Sequence, residues 1–265
     1  MILTERNVLA RLWAHRALVF TLVRRQYQLR YRQSAVGFWW ALLPPLATLG
    51  VGAVLFRQVA RLDTGEAPYG VSTLAALIPW TFFANSVILG VPSIVGSVSM
   101  ITRLSFPRAV LPVSMVGLSL VDLVITSGAF LAFALIQGTG VPLTALWAPV
   151  LLLLEIPLVL GMVLLGSALN VFARDIRLAV PLLVQFWLFL TPVMYALPSG
   201  ASPQIRSFYL LNPMTGLVES FRRVLVYGQP PSAELLVPAM IGAAAALLIG
   251  VWYFGSTEPR FADVV

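Results

Sequence analysis

Two acidic side chains lie well inside long apolar stretches of the sequence. They are Asp122 and Glu155. An ionisable group inside a bilayer is costly and is a functional candidate by default. Each carboxylate could equally be satisfied by Ser, Thr or backbone groups of a neighbouring helix. The sequence therefore singles out both residues and leaves their roles open between function and structure.

Aromatic side chains form a second candidate group. The flat face of a ring can stack on the C–H face of a sugar, so a path lined with rings could carry a glycan without gripping it tightly. Interfacial anchoring and helix packing are the alternative explanation for such rings. The candidates are Phe38, Trp39, Trp40, Trp80, Phe186, Trp187, Phe189 and Tyr195.

The residue types that the chain lacks exclude several kinds of chemistry. All 17 basic residues are Arg, and a phosphate-binding loop of the G-x-x-x-x-G-K-S/T type needs its lysine. There is no Cys and a single His, His15, so disulfides, thiol chemistry and the usual zinc ligand sets are excluded. We expect no catalytic residue, metal or cofactor on this chain; if the protein uses ATP, another chain binds it.

Composition identifies a membrane protein. Of 265 residues, 59% are apolar and 10% charged, and the mean hydropathy is +0.92; a soluble domain has about 45–50% apolar and about 25% charged residues. The length leaves little room for a soluble catalytic or nucleotide-binding domain. In so apolar a chain, the excess of Arg favours membrane orientation and anionic lipids over nucleic acid.

Charge-free stretches predict an all-α integral membrane fold with six transmembrane helices in a single domain, 1–265. A span needs about 20 apolar residues. Twelve of the Arg fall in the segments on the side of the two termini, which predicts that both termini are cytoplasmic. No cleavable signal peptide is predicted. The spans are 34–56, 69–95, 109–136, 143–170, 178–197 and 235–255.

Residues 1–33 are predicted to form a cytoplasmic amphipathic segment at the membrane interface. An aromatic face is seen at 100° per residue, although Arg24 intrudes on it. The alternative is an ordinary basic anchor ahead of the first span. The face comprises Trp13, Ala17, Phe20, Tyr27 and Tyr31.

Residues 203–230 are predicted to form a re-entrant outer segment between spans five and six. Asn212 and Pro213 suit the cap and first position of a helix. An apolar stripe then runs opposite Glu219, Arg222 and Arg223. The alternative is a helical loop facing solvent. The stripe comprises Met214, Leu217, Val218, Phe221, Val224 and Leu225.

Several motifs together resemble the membrane subunit of type 2 ABC exporters, in the branch that exports O-antigen, capsule and teichoic-acid polysaccharides. They run along almost the whole chain. In order they are Arg30-Tyr31-Arg32-Gln33-Ser34, Gly37 to Trp40, Pro44-Pro45-Leu46, Ile78-Pro79-Trp80, Phe82-Phe83, Ser93-Ile94-Val95, Phe106-Pro107-Arg108, Leu111-Pro112, Ala168-Leu169-Asn170, Arg174-Asp175-Ile176-Arg177, Thr191-Pro192-Val193, Leu211-Asn212-Pro213-Met214, Gly216-Leu217 and Glu219.

The resemblance implies a homodimer in the bacterial inner membrane, paired with two copies of an ATP-binding cassette subunit and moving a lipid-linked glycan outward. It places an ATPase-coupling helix at about 96–107. Arg30 and Arg32 would meet a substrate diphosphate, with lipid headgroup binding as the alternative. The helix after Asn212 would narrow the outer mouth. The coupling candidates are Arg103, Leu104, Ser105, Phe106, Pro107 and Arg108.

Two other functions remain open. One is export of a small hydrophobic drug or lipid by the same fold, which would need a compact pocket. The other is a membrane enzyme acting on polyprenyl-linked sugars, which would need acidic residues at the membrane surface; Asp175 is the only acid in a predicted inner loop. The expectation is therefore a transporter subunit and not an enzyme.

Overall fold

The structure is all-helical over the residues that it describes. The computed structural model describes residues 8–31, 39–54, 68–101, 106–195 and 202–261, and the predicted all-α class is confirmed for these ranges. In chain order, the α-helices are α1 (Val8–Ala14), α2 (Arg16–Tyr31), α3 (Trp39–Gly52), α4 (Tyr69–Gly90), α5 (Val98–Ile101), α6 (Val110–Ile136), α7 (Ala148–Phe172), α8 (Ile176–Leu190), α9 (Pro203–Leu210), α10 (Pro213–Leu225) and α11 (Ala233–Thr257).

Four helical segments of the described ranges are long and apolar enough to cross a membrane. They coincide with the second, third, fourth and sixth predicted spans. The predicted span 34–56 contains the shorter helix α3, of 14 residues. The predicted span 178–197 overlaps α8, of 15 residues, which begins two residues earlier. Both predicted spans extend outside the described ranges. The four long segments are Tyr69–Ser93, Val110–Ile136, Leu143–Phe172 and Ala233–Arg260.

The ends of α8 follow from local sequence. At its start, Asn170 Oδ1 accepts the backbone N–H of Arg177 at 3.1 Å. At its end, Pro192 disfavours the helical conformation of the residue before it, and Thr191 has φ −104° and ψ 134°. The carbonyl groups that follow Thr191 are therefore outside the helical hydrogen-bonding pattern and need other donors.

The centre of the bundle is α4, most of whose residues are buried. It packs against α6, α7 and α10. Beside it, α7 and α11 approach each other through two glycines: a Cβ on Gly250 would overlap the backbone of Gly161, and one on Gly161 would overlap the backbone of Ala246. Small residues recur at every fourth position of α11, including Ala246 and Gly250, and such spacing allows a second helix to approach closely.

A tight turn joins α6 to the short 3-10 helix Leu143–Trp147 that precedes α7. Gly138 and Gly140 both have φ +67°, a left-handed conformation that only glycine adopts without strain. The reversal lies within the segment 137–142, where the sequence predicts the break between the third and fourth spans.

Candidate functional site

Arg30, which the resemblance assigns to a substrate diphosphate, is paired with Asp122, one of the two acids inside the apolar stretches. Its Nη1 donates to Asp122 Oδ2 at 2.8 Å, and Asn85 Nδ2 donates to the same oxygen at 3.0 Å. Asp122 is buried on α6, while about a third of the Arg30 side chain is exposed. Asp122 is therefore satisfied by a cation from α2 and an amide from α4. Arg32 lies outside the described residues.

The helix α2 packs on the protein through the face opposite its aromatic residues. Leu22 is buried against Val110 and Leu111, and a Cβ on Gly117 of α6 would overlap Val23. The predicted aromatic face points away from the bundle. On that face of α2, Phe20 is 71% and Tyr27 43% exposed, and Trp13, on the preceding helix α1, is 73% exposed.

The predicted coupling segment is described only in part, because Arg103, Leu104 and Ser105 lie outside the described ranges. Phe106 packs against the cluster formed by Leu22, Val110 and Leu111, and Pro107 is partly buried.

Arg108 points into the protein. Its backbone N–H donates to Glu258 Oε1 at 2.9 Å, and its Nη1 donates to the Glu258 carbonyl oxygen. The resemblance makes Arg108 a coupling candidate, and only the structure reveals its contact with Glu258.

The candidate aromatic residues fall into two sets. Trp80 is buried and lies 5.7 Å from Phe83, measured between ring centroids; Trp187 packs edge-on to Phe83 at 5.0 Å. Phe186 and Phe189 instead lie on the exposed face of α8, with Phe186 68% exposed. The structure thus places the first set inside the subunit and the second on its surface.

Four aromatic candidates remain. The Tyr195 hydroxyl lies 3.2 Å from the Tyr209 hydroxyl of α9. Phe38 is outside the described residues, and Trp39 and Trp40 are described only as the first residues of α3.

The start of α10 is capped as the sequence predicts. Asn212 Oδ1 accepts the backbone N–H of Met214 at 3.1 Å, and Pro213 takes the first helical position. The same oxygen accepts Trp187 Nε1–H at 3.0 Å, and Asn212 Nδ2 donates to Thr191 Oγ1 at 2.9 Å. One amide therefore ties the first turn of α10 to the last turn of α8.

Arg222 makes the second attachment between α10 and the end of α8. It is 1% exposed and donates to Glu219 Oε2 at 2.5 Å. Its Nη2 donates to the carbonyl oxygens of Pro192 at 2.8 Å and Val193 at 3.2 Å. The sequence predicted that Arg222 lies opposite the apolar stripe. Only the structure reveals that Arg222 is buried, where it donates to the carbonyl groups of Pro192 and Val193, which accept no helical hydrogen bond.

The other intramembrane acid, Glu155, is fully buried on α7. Neither of its oxygens has a hydrogen-bonding partner among the described residues. Within those residues, no group of three or more His, Cys, Asp or Glu side chains is placed to hold a metal ion. Arg30, Asn212 and Arg222 thus attach one helix to another, whereas the Glu155 carboxylate makes no such attachment among the described residues.

Comparison with known proteins gives the family. The family model described as ABC-2 type transporter matches residues 17–226. The O-antigen export system permease protein RfbA of Myxococcus xanthus is 30% identical over 255 residues, which are 96% of this chain and 97% of that protein. Two proteins of the same name from Klebsiella pneumoniae are 25% and 24% identical over 250 residues, or 94% of this chain and 95% of each. The chain therefore belongs to the ABC-2 type transporter family.

Proposed function

We propose that this chain is the membrane subunit of an ATP-driven exporter that moves a lipid-linked polysaccharide of the O-antigen, capsule or teichoic-acid type across the bacterial inner membrane. The observation that carries the proposal is the similarity, along nearly the whole chain, to three proteins named O-antigen export system permease. The chain is a transporter component and not an enzyme, and ATP and Mg²⁺ are bound by a partner subunit.

The proposed topology has six spans and two cytoplasmic termini. The helices α3 and α8 are apolar, which supports their assignment to the first and fifth spans. The ion pair between Arg11 of α1 and Glu258 after α11 brings the two ends of the chain together. This contact supports placing both termini on one side, and the distribution of Arg supports the cytoplasm as that side.

The proposed partners are a second copy of this chain and two copies of an ATP-binding cassette subunit. The segment 96–108 would dock on the ATP-binding subunit. Its position directly ahead of α6 supports this role, because a displacement there passes straight into a membrane helix.

We assign Arg30 and Arg32 to the anionic head of the lipid-linked substrate. A guanidinium carries five N–H donors in one plane. About a third of the Arg30 side chain is exposed, so Arg30 can pair with Asp122 and also contact a phosphate oxygen. Arg pairs with phosphate bidentately. Attraction to ordinary lipid headgroups is the competing role. The buried Asp122 supports the assignment because it fixes the position of Arg30 before any substrate arrives.

The helix α10 is the proposed re-entrant outer segment. Its apolar stripe is buried and packs against α4, α7 and α11, while Asn212 and Arg222 fasten it to the end of α8. These contacts support a rigid outer unit formed by α8 and α10. Phe186 and Phe189, exposed on α8, would line the glycan path.

A chromosomal deletion of the gene tests the proposal. We expect loss of surface polysaccharide together with accumulation of its lipid-linked precursor in the inner membrane, both reversed by a plasmid copy of the gene. Normal surface polysaccharide in the deletion strain would contradict the proposal.

A second candidate is export of a small hydrophobic molecule. A cavity of about 350 Å³ lies between α4, α6, α10 and the start of α7 and favours it, because its lining is mostly apolar. Hypersensitivity of the deletion strain to hydrophobic compounds, with intact surface polysaccharide, would select this candidate. The lining includes Ile78, Leu123, Phe130, Leu152, Phe221 and Leu225.

A further inference from the structure

The turn that follows α11 joins two distant parts of the chain. Glu258 begins this turn, Glu258–Arg260, and is 8% exposed. Its carboxylate pairs with Arg11 of α1 and accepts the backbone N–H of Arg108 at 2.9 Å. Its own carbonyl oxygen accepts Arg108 Nη1–H. One residue therefore holds both the N-terminal helix and the segment that leads into α6.

The buried ring of Phe261 and its aromatic neighbours lie next to this carboxylate. Phe261 is fully buried between Phe254 of α11, at 5.4 Å, and Phe172 at the end of α7, at 6.0 Å, both between ring centroids. The guanidinium carbon of Arg108 lies 5.9 Å from the Phe261 ring centroid. Val8 of α1 belongs to the same buried cluster. We name Arg11, Arg108, Glu258 and Phe261 the C-terminal clamp.

The polar part of the clamp is better suited to fixing geometry than to adding stability. Replacing a buried ion pair with apolar residues of similar volume is often neutral or stabilising, so packing around Phe261 would suffice for a purely structural contact. Hydrogen bonds from Arg108 to two separate atoms of Glu258 instead fix the distance and direction between the segment and the end of α11.

The position of Arg108 connects the clamp to the segment that we propose to contact the ATP-binding subunit. Arg108 ends the segment 96–108, which we propose to dock on the ATP-binding subunit, and α6 begins two residues later. Without the clamp, the motion of the segment would pass directly only into α4 and α6, to which the segment is joined along the chain. Through Glu258 the same motion reaches α11 and α1, and α11 packs along α7.

We propose that Glu258 is a positioning residue that carries the displacement of segment 96–108 to α11 and α1, so that the two ends of the chain move with α6 during each ATP cycle. This inference rests on the proposed function, because it takes the segment to be the contact with the ATPase. It adds the C-terminal turn to the coupling machinery, for which the sequence motifs give no indication.

The test uses Glu258→Gln, which keeps the volume and an acceptor oxygen but removes the charge. The matched control is Glu234→Gln, because Glu234 forms an exposed ion pair with Arg206 at 2.7 Å. Each variant is reconstituted in proteoliposomes with the ATP-binding subunit, and ATP hydrolysis is measured with and without polyprenyl-diphosphate-linked polysaccharide.

We expect Glu258→Gln to keep basal hydrolysis while the stimulated part falls about tenfold, the size of one charge-assisted hydrogen bond. The control should match the unsubstituted complex. Stimulation of Glu258→Gln equal to that of the control would overturn the inference. A glycan that fails to stimulate even the unsubstituted complex would contradict the proposed function instead, so the two failures are distinguishable.

A second experiment covers the case in which Glu258→Gln reduces the amount of folded protein. The chain has no Cys, so Arg11→Cys combined with Glu258→Cys gives a unique pair for a short thiol cross-linker. Stimulation should be lost in the uncross-linked pair and return once the link is made. The link replaces the ion pair with Arg11, and the main-chain carbonyl oxygen of residue 258 can still accept Arg108 Nη1–H. A linked pair that stays unstimulated, beside a stimulated unsubstituted complex treated with the same reagent, would reject the role of the clamp.

Discussion

The buried guanidinium of Arg222 offers a sharp test of how the outer unit is held together. It donates to the Glu219 carboxylate and to the carbonyl oxygens of Pro192 and Val193. These carbonyl groups lie just beyond the end of α8, where the helix cannot satisfy them. The substitution Arg222→Ala leaves all of these acceptors without their donor, and we expect α10 to lose this second attachment to the end of α8 while the attachment through Asn212 remains.

The size of the effect follows from burial. Arg222 is 1% and the Glu219 side chain 15% exposed, and removing one member of a buried ion pair costs about 3–5 kcal/mol. For a chain of this size each kcal/mol lowers the melting temperature by about 2–4 °C, so we expect a decrease of roughly 6–20 °C.

The neighbouring Arg223 provides the control. Its Nε donates to the Pro230 carbonyl oxygen at 3.2 Å in an exposed position, and such substitutions usually change stability by less than about 0.5 kcal/mol. We therefore expect Arg223→Ala to move the melting temperature by less than about 2 °C. Both variants are heated in detergent, and the folded fraction is followed by size-exclusion chromatography. Equal shifts for the two variants would refute the reasoning from burial.

The remaining predictions concern the binding of the substrate diphosphate, the glycan path and the helix packing. Arg30→Lys should raise the half-saturating glycan concentration for ATPase stimulation about tenfold, because Lys lacks the planar guanidinium that pairs bidentately with phosphate. An unchanged half-saturating concentration would instead assign Arg30 to ordinary lipid headgroups. Phe186→Leu should slow export without changing assembly or basal ATPase activity, since it removes an exposed ring. A normal export rate would show that Phe186 serves as an interfacial anchor and does not contact the glycan. Gly250→Val should lower stability by about 1–3 kcal/mol through overlap with Gly161, whereas Gly128→Val should not, because a Cβ there meets nothing within 4 Å; equal losses would contradict the packing.

Local features of the fold could be predicted from the sequence. Long apolar segments require membrane helices, and the Asn212-Pro213 pair produces the cap seen at α10. Each of these features depends on residues close together in the chain, which is why pattern and period suffice.

Attachments between distant residues could not be predicted in the same way. Asp122 required a partner, yet the sequence offers several Arg in the N-terminal segment and does not select Arg30. The burial of Arg222 depends on α8 ending before Pro192, so that the Pro192 carbonyl group lies within hydrogen-bonding distance of the Arg222 guanidinium on α10. The contact of Arg108 with Glu258 joins residues 150 positions apart, and no spacing rule connects them.

The most direct test of the central claim is ATP hydrolysis by the complex of this chain with the ATP-binding subunit, reconstituted in proteoliposomes of bacterial lipids. We predict that a polyprenyl-diphosphate-linked polysaccharide stimulates hydrolysis in a saturable way, and that the same lipid carrier without glycan, or a hydrophobic dye, does not. Stimulation by the dye with no response to the linked polysaccharide would contradict the account.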